Sequence, residues 1–393
     1  MRNHVIYLGV CSLPDKNAQA NRAMAICRLF KDKGKEIIVI GDTKEALTSN
    51  DVLETRFAYG SVSCFLMPYP KSRKEWLARV TDASSVIEII EYYGVNNIDI
   101  LILGEYYSVV CIKLMRYCEK NNVKVIFDTV DWFSMRLTFS VDSLIKNLDT
   151  FIRMRVLHKK AKYMITISSY LFDYYSKHVE RAVLIPSIVD VDDSKFLRIQ
   201  NYVGNDILTL AYIGHSKFNL KKERIDWAIR AVCKLAGEGA AIKLFIAGIS
   251  RDDVENDAPE LTDLMGFSDC IELFGVLGHE ESLRLVSMSD FSVIPRENTR
   301  LNKAGLPTKL GESICCGTPI LATPFGDMGR YIVNGENGFL ASDCTYHSFY
   351  ELLQNVVCMK FSREELISLH RKTKECLSFI YSTYQNEIEL LLD

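Results

Sequence analysis

Short, almost continuously apolar runs alternate with segments of helical periodicity, and this alternation occurs twice along the chain. The first series is VIYLGV (5–10), EIIVIGD (36–42), IDILILGE (98–105), VKVIFD (123–128), YMITIS (163–168) and VLIPS (183–187). The second is ILTLAYIG (207–214), AIKLFIAG (241–248), CIELFG (270–275), FSVIP (291–295) and PILATP (319–324). Strands that are apolar on both faces are typical of parallel sheets covered by helices on both sides. The sequence therefore predicts an α/β fold with two open parallel sheets.

The two series predict two domains. A polar stretch at 190–206 separates them, so we expect an N-terminal domain over residues 1–190 and a C-terminal domain that begins at 191. A length of 393 residues accommodates two domains of this size. Ligands of open parallel sheets bind beyond the carboxyl ends of the strands. Two such sheets in one chain predict a cleft between them, and the loops after the strands are the places to look for function.

Composition excludes several classes of protein. Lys and Arg total 47 against 50 for Asp and Glu, so the net charge of −3 gives no electrostatic reason to expect a nucleic-acid partner. The twelve cysteines show no C-x-x-C spacing, which favours reduced thiols and no metal site. No run of about 18 apolar residues occurs, so no membrane-spanning helix is expected. VIYLGVCSL (5–13) has the length of a signal-peptide core but lacks the expected flanks, and we interpret it as a strand.

The stretch from 291 to 327 contains the strongest candidate site. Pro307 is suited to the first turn of a helix, where the free backbone N–H groups of Thr308, Lys309 and Leu310 would bind an anion. Lys309 adds a positive charge, and Glu312 follows about one turn later, where a carboxylate could accept two hydrogen bonds from a ribose. This arrangement predicts a nucleotide-diphosphate site. The alternative is a capped surface helix with an ion pair between Lys309 and Glu312.

The segment PTKLGESICCGTPILAT (307–323) resembles the donor-site signature of retaining glycosyltransferases with the GT-B fold, family four. The segments at 211–231, 272–295 and 335–340 resemble that family's other motifs in order and spacing. The resemblance implies two Rossmann-like domains facing a central cleft, a donor domain over 191–365, and a last helix over 366–393 that crosses back toward the first domain. It also implies transfer of a hexose-type sugar with retention from a nucleotide-diphosphate sugar, here expected to be a UDP-sugar, with no cofactor and no obligatory metal ion.

The resemblance assigns the phosphate contacts residue by residue. Lys309 and the amides of Thr308 and Leu310 match the positions that hold the diphosphate. Lys221 or Lys222 matches the lysine that neutralises charge on the leaving group, and we favour Lys222 because it directly precedes an acidic residue and a helix. Lys309 and Lys222 are therefore the expected catalytic cations.

Other donor contacts follow from the same resemblance. Glu312 matches the glutamate that holds the ribose hydroxyls, and Val276 with Leu277 matches the turn that reads the base. Gly214 matches the glycine that lets backbone approach the phosphates, which a residue without a side chain permits. His215 stands where the family usually has a basic residue.

Two departures from the family pattern concern the sugar and the acceptor. The family often has a first glutamate eight residues before the ribose-binding one, and Ala304 occupies that position here. Arg296, Glu297, Asn298 or Asn302 could take over its contacts, and Arg296 is our catalytic candidate among them. The family's first loop contains Gly-Gly, whereas PDKNAQ (14–19) stands here.

The N-terminal domain is expected to bind the acceptor, a saccharide or a lipid-linked saccharide. Asp128, Asp131 and Trp132 follow one predicted strand, and Glu105 ends another. Asp131 could orient an acceptor hydroxyl and is a catalytic candidate; Asp128, Trp132 and Glu105 are acceptor-binding candidates. A helix cap or loop hydrogen bond explains the acids equally well, and a buried core position would explain the tryptophan.

The basic segment RMRVLHKKAK (153–162) could rest on anionic lipid, with a solvated helix face as the alternative. We therefore expect a cytoplasmic protein with potential peripheral contact at the inner face of the membrane. The alternatives for the whole chain are a non-catalytic GT-B binding subunit of a glycosylation complex, a GT-B nucleotide-sugar epimerase, or a phosphorylase.

Overall fold

The chain folds into two compact units. The computed structural model describes residues 2–45, 47, 51–133, 140–214, 222–266 and 269–393. The first unit comprises Met1–Asp190 with Tyr381–Asp393, and the second comprises Val191–Ile380. Of the candidate residues, His215 and Lys221 lie outside the described residues.

An eight-stranded sheet forms the centre of the first unit, in the order β3-β4-β2-β1-β5-β6-β7-β8. Its strands are β1 (His4–Ser12), β2 (Glu36–Thr43), β3 (Phe57–Tyr59), β4 (Val62–Pro68), β5 (Ile98–Gly104), β6 (Lys124–Thr129), β7 (Tyr163–Thr166) and β8 (Arg181–Leu184). Neighbouring strands pair in parallel except for β3, which is antiparallel to β4 at the sheet edge. The six strands predicted for this half are confirmed, and β3 and β4 are additional.

Helices cover this sheet. They are α1 (Ala18–Asp32), α2 (Arg73–Thr81), α3 (Ser84–Tyr92), α4 (Ser108–Lys120), α5 (Val141–Phe151), α6 (His158–Lys160) and α7 (Ser169–Tyr175), with a π-helical stretch at Ile152–Leu157 between α5 and α6. The Asn17 side chain caps α1 by accepting from Ala20 N at 2.8 Å. The predicted apolar face of α1 is buried, and Arg22 lies on it as a buried charge.

The second unit has a six-stranded sheet whose strands pair in parallel, in the order β11-β10-β9-β12-β13-β14. The strands are β9 (Leu208–Ile213), β10 (Ile242–Ala247), β11 (Ile271–Gly275), β12 (Phe291–Ile294), β13 (Ile320–Ala322) and β14 (Gly338–Leu340). The five strands predicted for this half are confirmed, and β14 is additional. The predicted α/β class with two parallel sheets is therefore correct.

The helices of the second unit are α8 (Ser194–Leu197), α9 (Ile225–Gly237), α10 (Arg251–Asp257), α11 (Pro259–Gly266), α12 (His279–Ser287), α13 (Arg300–Ala304), α14 (Thr308–Cys316), α15 (Met328–Tyr331), α16 (Tyr346–Met359) and α17 (Arg363–Lys374). The chain then re-enters the first unit, where Tyr381 N donates to Val189 O at 3.0 Å and α18 (Gln385–Leu392) packs near β8. Residues 366–380 thus belong to the second unit, and the return begins at Tyr381.

Close backbone contact defines the carboxyl ends of β9 and β10. Gly214 N donates to Ala247 O at 2.8 Å, and Gly248 adopts a φ of +86° beside it. A Cβ at Gly248 would lie 2.3 Å from Gly214 O, so only glycine fits there. This packing positions the loops that carry the candidate residues of the second unit.

Candidate functional site

The N-terminus of α14 lies where the sequence predicts a phosphate site. Pro307 is the N-cap of this helix, one residue earlier than predicted, and no side-chain hydrogen bond caps it. Leu310 N donates to Pro307 O at 3.1 Å, so the predicted free amide of Leu310 is already engaged within the turn. The amides of Thr308 and Lys309 remain the candidates for an anion, and the helix dipole adds positive potential there.

Two buried cations meet one carboxylate beside this helix. Lys309 Nζ lies 2.9 Å from Glu223 Oε2, and Arg296 Nη2 contacts the other carboxylate oxygen of Glu223. Tyr212 completes the cluster, because its ring lies 4.1 Å from Lys309 Nζ and its hydroxyl donates to Glu223 at 3.4 Å. The Arg296 backbone is held by Thr323, which donates to Arg296 O and accepts from Arg296 N. We call Glu223, Arg296 and Lys309 the cation cluster.

The two cations of the cation cluster favour the ionised form of Glu223. Burial alone would raise the pKa of Glu223, but Arg296 and Lys309 outweigh burial and lower the pKa to about 2. Burial lowers the pKa of Lys309, and Glu223 opposes that change. With Arg296 and Lys309 charged against one carboxylate, the cluster carries one net positive charge. It is therefore suited to an anionic ligand.

Glu223, which the sequence analysis did not single out, is the carboxylate partner of Lys309. The sequence predicts that Lys222 supplies the cation next to the phosphates, and this stays a prediction. In the structure the next residue, Glu223, contacts Lys309. Lys222 still acts on Lys309, since its charge lowers the pKa of that lysine. The alternative predicted an ion pair between Lys309 and Glu312, whereas in the structure Lys309 contacts Glu223 and Glu312 contacts His279.

Glu312 pairs with a histidine that sequence reasoning did not single out. His279 Nε2 lies 2.9 Å from Glu312 Oε1, and both side chains are largely buried. His279 is the first residue of α12, and its Nδ1 lies 3.3 Å from Lys195 Nζ. A carboxylate oriented in this way is suited to accept hydrogen bonds from a diol, as the sequence predicts.

The remaining donor candidates surround the same end of the sheet. Val276 and Leu277 form the turn between β11 and α12, and Val276 is strongly exposed. Gly214 directly follows β9, and a Cβ there would lie 2.6 Å from the Tyr212 ring. The missing side chain of Gly214 thus makes room for the ring that contacts Lys309. Ala304, which replaces the family's first glutamate, is fully buried at the end of α13.

In the first unit, Asp128 is committed to internal contacts. Arg22 donates to it from Nε and from Nη2, the latter at 2.7 Å, and Tyr7 OH donates to it at 2.8 Å. The carboxylate is fully buried. The structure therefore makes Asp128 the partner of Arg22, whereas the sequence predicts an acceptor-binding residue.

Glu105 and Asp128 line one small pocket of the first unit, and the backbone of Glu105 has an unusual conformation. Its φ is +52°, a conformation that a residue with a side chain adopts at a cost. Arg153 Nη1 lies 2.8 Å from Glu105 Oε2, and Val130 N donates to the other oxygen at 3.1 Å. Burial raises the pKa of Glu105 to about 7, although Arg153 opposes this. Gly9 and Gln19 also line the pocket.

Asp131 and Trp132 differ in exposure. Trp132 is buried, and its ring packs edge-on against Tyr170 and Tyr174 with Arg155 above it at 4.7 Å. The structure thus gives Trp132 a core position, in place of the predicted sugar-stacking one. Asp131 is partly exposed, and its charge raises the pKa of Glu105.

The segment 153–162 is not a continuous basic face. Arg153 and His158 are buried, and Arg153 is used by Glu105. Arg155 contacts the aromatic rings beside it, and Lys162 lies 3.9 Å from Glu180. Part of the predicted basic surface is thus used inside the first unit, Arg155, Lys160 and Lys162 are exposed, and contact with anionic lipid stays a prediction.

Two absences hold for the described residues. No group of three or more His, Cys, Asp or Glu in this part of the chain is placed to hold a metal ion. None of its helices is long and apolar enough to cross a membrane. All twelve cysteines are free thiols.

The sequence contains a signal for one of the residues that were not predicted, and none for two others. Arg22 lies four residues before Ile26 on the predicted apolar face of α1, which is a readable signal for a buried charge. Glu223 and His279 gave no comparable signal, because their partners are 86 and 33 residues away in sequence.

Residues 208–357 match the family described as Glycosyl transferases group 1. The match runs from β9 through most of α16 and includes both Lys309 and Glu312. Comparison with curated protein sequences gives no significant match.

Solved structures share the fold of the whole chain. The catalytic domain of starch synthase IV from Arabidopsis thaliana, bound to ADP and acarbose, superimposes with a TM-score of 0.74 at 12% identity, covering 100% of this chain and 99% of that one. Sucrose-phosphate synthase from Thermosynechococcus elongatus gives 0.72 at 13% identity, with coverages of 99% and 98%. HepE from Anabaena in complex with UDP-glucose gives 0.63 at 13% identity, with 99% of both chains covered.

At identities of 12% and 13%, structural similarity establishes only the fold, which is GT-B. The group 1 match supplies the chemical class that the fold alone does not. The second unit carries the matched domain and the cation cluster, and together with the GT-B fold this identifies the protein as a glycosyltransferase.

Proposed function

We propose that the protein is a retaining glycosyltransferase of family four that uses a UDP-sugar. It would move a hexose-type sugar to a saccharide or glycolipid acceptor in surface polysaccharide or glycoconjugate biosynthesis. The observation that carries the proposal is the pair of buried cations, Arg296 and Lys309, at the uncapped N-terminus of α14, with Glu312 one turn along the helix. HepE, a structural neighbour, was solved with UDP-glucose, which supports the choice of UDP.

The cation cluster would act on the leaving group. When the sugar–phosphate bond breaks, negative charge develops on the phosphate, and cations fixed in advance stabilise it without reorganising. Lys309, Arg296 and the amides of Thr308 and Lys309 are such groups, and Lys222 adds charge nearby. Glu223 keeps the two cations in position. Removal of one comparable donor typically raises the barrier by roughly 2.7–4 kcal/mol.

Glu312 would bind the ribose, and the β11–α12 turn would read the base. His279 orients the Glu312 carboxylate in this proposal, since the two side chains lie 2.9 Å apart. Val276 and Leu277 offer backbone groups at an exposed turn.

Sugar recognition would fall to the segment that replaces the missing glutamate. Asn302 is buried, its Nδ2 donates to Glu297 O at 2.9 Å, and its Oδ1 lacks a hydrogen-bond partner within the described chain. A sugar hydroxyl would satisfy that oxygen, because a buried acceptor without a partner is costly. Asn302 is thus our candidate for the role that Ala304 cannot fill.

The first unit would bind the acceptor near Glu105 and Asp131, at the carboxyl ends of its strands, where open parallel sheets bind ligands. A cytoplasmic location, with access to lipid-linked acceptors at the inner face of the membrane, belongs to the same proposal.

Calorimetry with UDP, ADP, GDP and uridine tests the donor site. We expect UDP to bind best, Lys309→Ala to weaken UDP at least 10-fold while leaving uridine unchanged, and Glu312→Gln to weaken both. Lys372→Ala and Glu364→Gln, exposed positions on α17, are matched controls. Wild-type-like UDP binding by both site variants would overturn the proposed donor site, and an inverted anomeric configuration in the product would overturn retention.

A further inference from the structure

A row of three polar side chains leads from the first residues of the second unit to the carboxylate proposed for the ribose. Lys195 Nζ lies 3.3 Å from His279 Nδ1, and His279 Nε2 lies 2.9 Å from Glu312 Oε1. The side chains of Lys195, His279 and Glu312 are 11%, 19% and 17% exposed, so their neighbours, more than bulk water, determine their geometry. We call these three residues the ribose-site triad.

The chemistry of lysine determines which nitrogen of His279 carries the proton. A lysine ammonium group only donates hydrogen bonds, so Nδ1 of His279 has to accept one from Lys195. A neutral imidazole that accepts at Nδ1 carries its proton at Nε2. Nε2 therefore donates to Glu312, whose carboxylate accepts. Each contact of the ribose-site triad thus joins one donor to one acceptor, and both ring nitrogens of His279 take part.

The fold of its own segment holds Lys195 against His279. Asp193 caps α8 by accepting from Lys195 N at 3.0 Å, and its other carboxylate oxygen lies 3.5 Å from Lys195 Nζ. The next residue, Phe196, packs edge-on against the His279 ring, with 6.5 Å between the ring centroids. Two consecutive residues of α8 thus contact the residue that begins α12.

We propose that Lys195 is a positioning residue for ribose recognition, because it fixes the ring of His279 and through it the carboxylate of Glu312. The proposal rests on the proposed function, in which Glu312 binds the ribose hydroxyls. Contacts at both nitrogens fix the plane of the ring and keep the Nε2 proton directed at Glu312. Without Lys195 the ring is held at one nitrogen, and binding of a diol then has to pay the entropy of ordering the ring and the carboxylate.

A purely structural role of Lys195 predicts a different result. Lys195 also pairs with Asp193, so its loss would disturb α8 whether or not a ribose is bound. Such a disturbance weakens all nucleotides equally, whereas loss of positioning weakens only those that carry ribose hydroxyls. UDP and 2′,3′-dideoxy-UDP, which lacks both hydroxyls, distinguish the two roles.

Calorimetry with these two nucleotides tests the positioning. We expect Lys195→Met to weaken UDP binding roughly 10-fold, which corresponds to about 1.4 kcal/mol and to one net hydrogen bond. The variant should bind 2′,3′-dideoxy-UDP as the wild type does. Lys372→Met, at an exposed position of α17, is the matched control and should change neither affinity. In a His279→Ala background, Lys195→Met should have no further effect, because Lys195 acts through the ring.

The His279 ring provides a readout that needs no nucleotide. Nitrogen-15 NMR of histidine-labelled protein distinguishes protonated from unprotonated ring nitrogens, and His279→Ala assigns the signals. In the unliganded wild type at neutral pH we expect Nδ1 to be unprotonated and Nε2 to be protonated. A protonated Nδ1, an equal loss of affinity for both nucleotides, or a full further loss in the His279→Ala background would overturn the proposal. Absence of UDP binding by the wild type, together with the expected ring state, would refute the proposed donor site and support the contact between Lys195 and His279.

Discussion

Replacing Glu223 by glutamine tests the cation cluster most directly. Glutamine keeps the size of the side chain and can still accept a hydrogen bond, but it removes the charge that Arg296 and Lys309 share. Both cations would then remain buried beside each other without an anion. The variant therefore isolates the electrostatic role of Glu223 from its packing.

The expected loss follows from the pKa of Glu223. The pKa falls from the usual 4.5 to about 2 in the folded protein. At about 1.4 kcal/mol per pH unit, that difference corresponds to about 3 kcal/mol of folding free energy at neutral pH. Breaking a buried ion pair by removing one partner typically costs about 3–5 kcal/mol. For a unit of this size we expect Glu223→Gln to lower the Tm by roughly 6–12 °C.

The lowered pKa of Glu223 also determines how the stability of the protein changes with pH. The folded pKa of Glu223 is depressed, so its stabilisation is fully present above pH 4.5 and is lost as the pH falls through about 2. Wild type and Glu223→Gln should therefore differ most near pH 7 and converge on acidification below 4.5. Thermal unfolding at a series of pH values measures this convergence.

Pyrophosphate provides a second readout. If the cation cluster binds the donor diphosphate, an added diphosphate can supply the anion that glutamine lacks. Pyrophosphate should then raise the Tm of Glu223→Gln more than that of the wild type, since ligand binding to the folded state stabilises it. Glu364→Gln is the control. A loss below 1 kcal/mol, or a pH-independent loss, would refute the electrostatic reasoning about Glu223.

Three further predictions concern stability. Asp128→Asn leaves buried Arg22 without its carboxylate and should lower the free energy of unfolding by about 3–5 kcal/mol in urea denaturation; a loss under 1 kcal/mol would contradict this. The pKa of Glu105 is raised to about 7 in the folded protein, so the unfolded chain loses this proton at a lower pH. The free energy of unfolding of the wild type should therefore fall by up to about 3 kcal/mol between pH 4.5 and 7. Glu105→Gln should reduce this pH dependence, and parallel plots of unfolding free energy against pH for the two proteins would contradict the prediction. Gly248→Ala should lower the Tm far more than Gly237→Ala, where a Cβ meets open space; equal effects would show that the close contact relaxes.

Most of the fold could be predicted because buried parallel strands leave a strong local signal. Runs such as 98–105 and 207–214 are apolar on both faces and are separated by helices of clear periodicity. The strands that escaped prediction are β3, β4 and β14. β3 and β14 contain only three residues each and lie at sheet edges, and β4, of seven residues, lies between β3 and β2. Short edge strands give too little pattern to be distinguished from loops.

Some contacts of the candidate site could likewise be predicted from local sequence, and others depend on residues far apart in the chain. Lys309 and Glu312 share one helix, so their spacing on α14 could be read directly from the sequence. The partners of these two residues come from other elements, Glu223 from the segment before α9 and His279 from α12. Which acid meets which base depends on how strands and helices pack, and no local pattern encodes it.

The two buried polar clusters of the molecule differ in their numbers of cations and carboxylates. In the first unit, Arg22 pairs with Asp128 and Arg153 pairs with Glu105, so two cations meet two carboxylates. In the second unit, Arg296 and Lys309 share one carboxylate, and a positive charge is left over at the N-terminus of a helix.

We therefore expect an anionic diphosphate to favour the second cluster, where two cations share one carboxylate and a helix dipole acts in the same direction. In our proposal the first unit, where Arg22 and Arg153 each have their own carboxyl partner, binds a ligand with hydroxyl groups, such as a saccharide. Its carboxyl group Glu105, with a pKa of about 7, is poised to exchange a proton near neutral pH. The difference in charge between the two clusters thus supports the proposed assignment of the donor to the second unit and of the acceptor to the first.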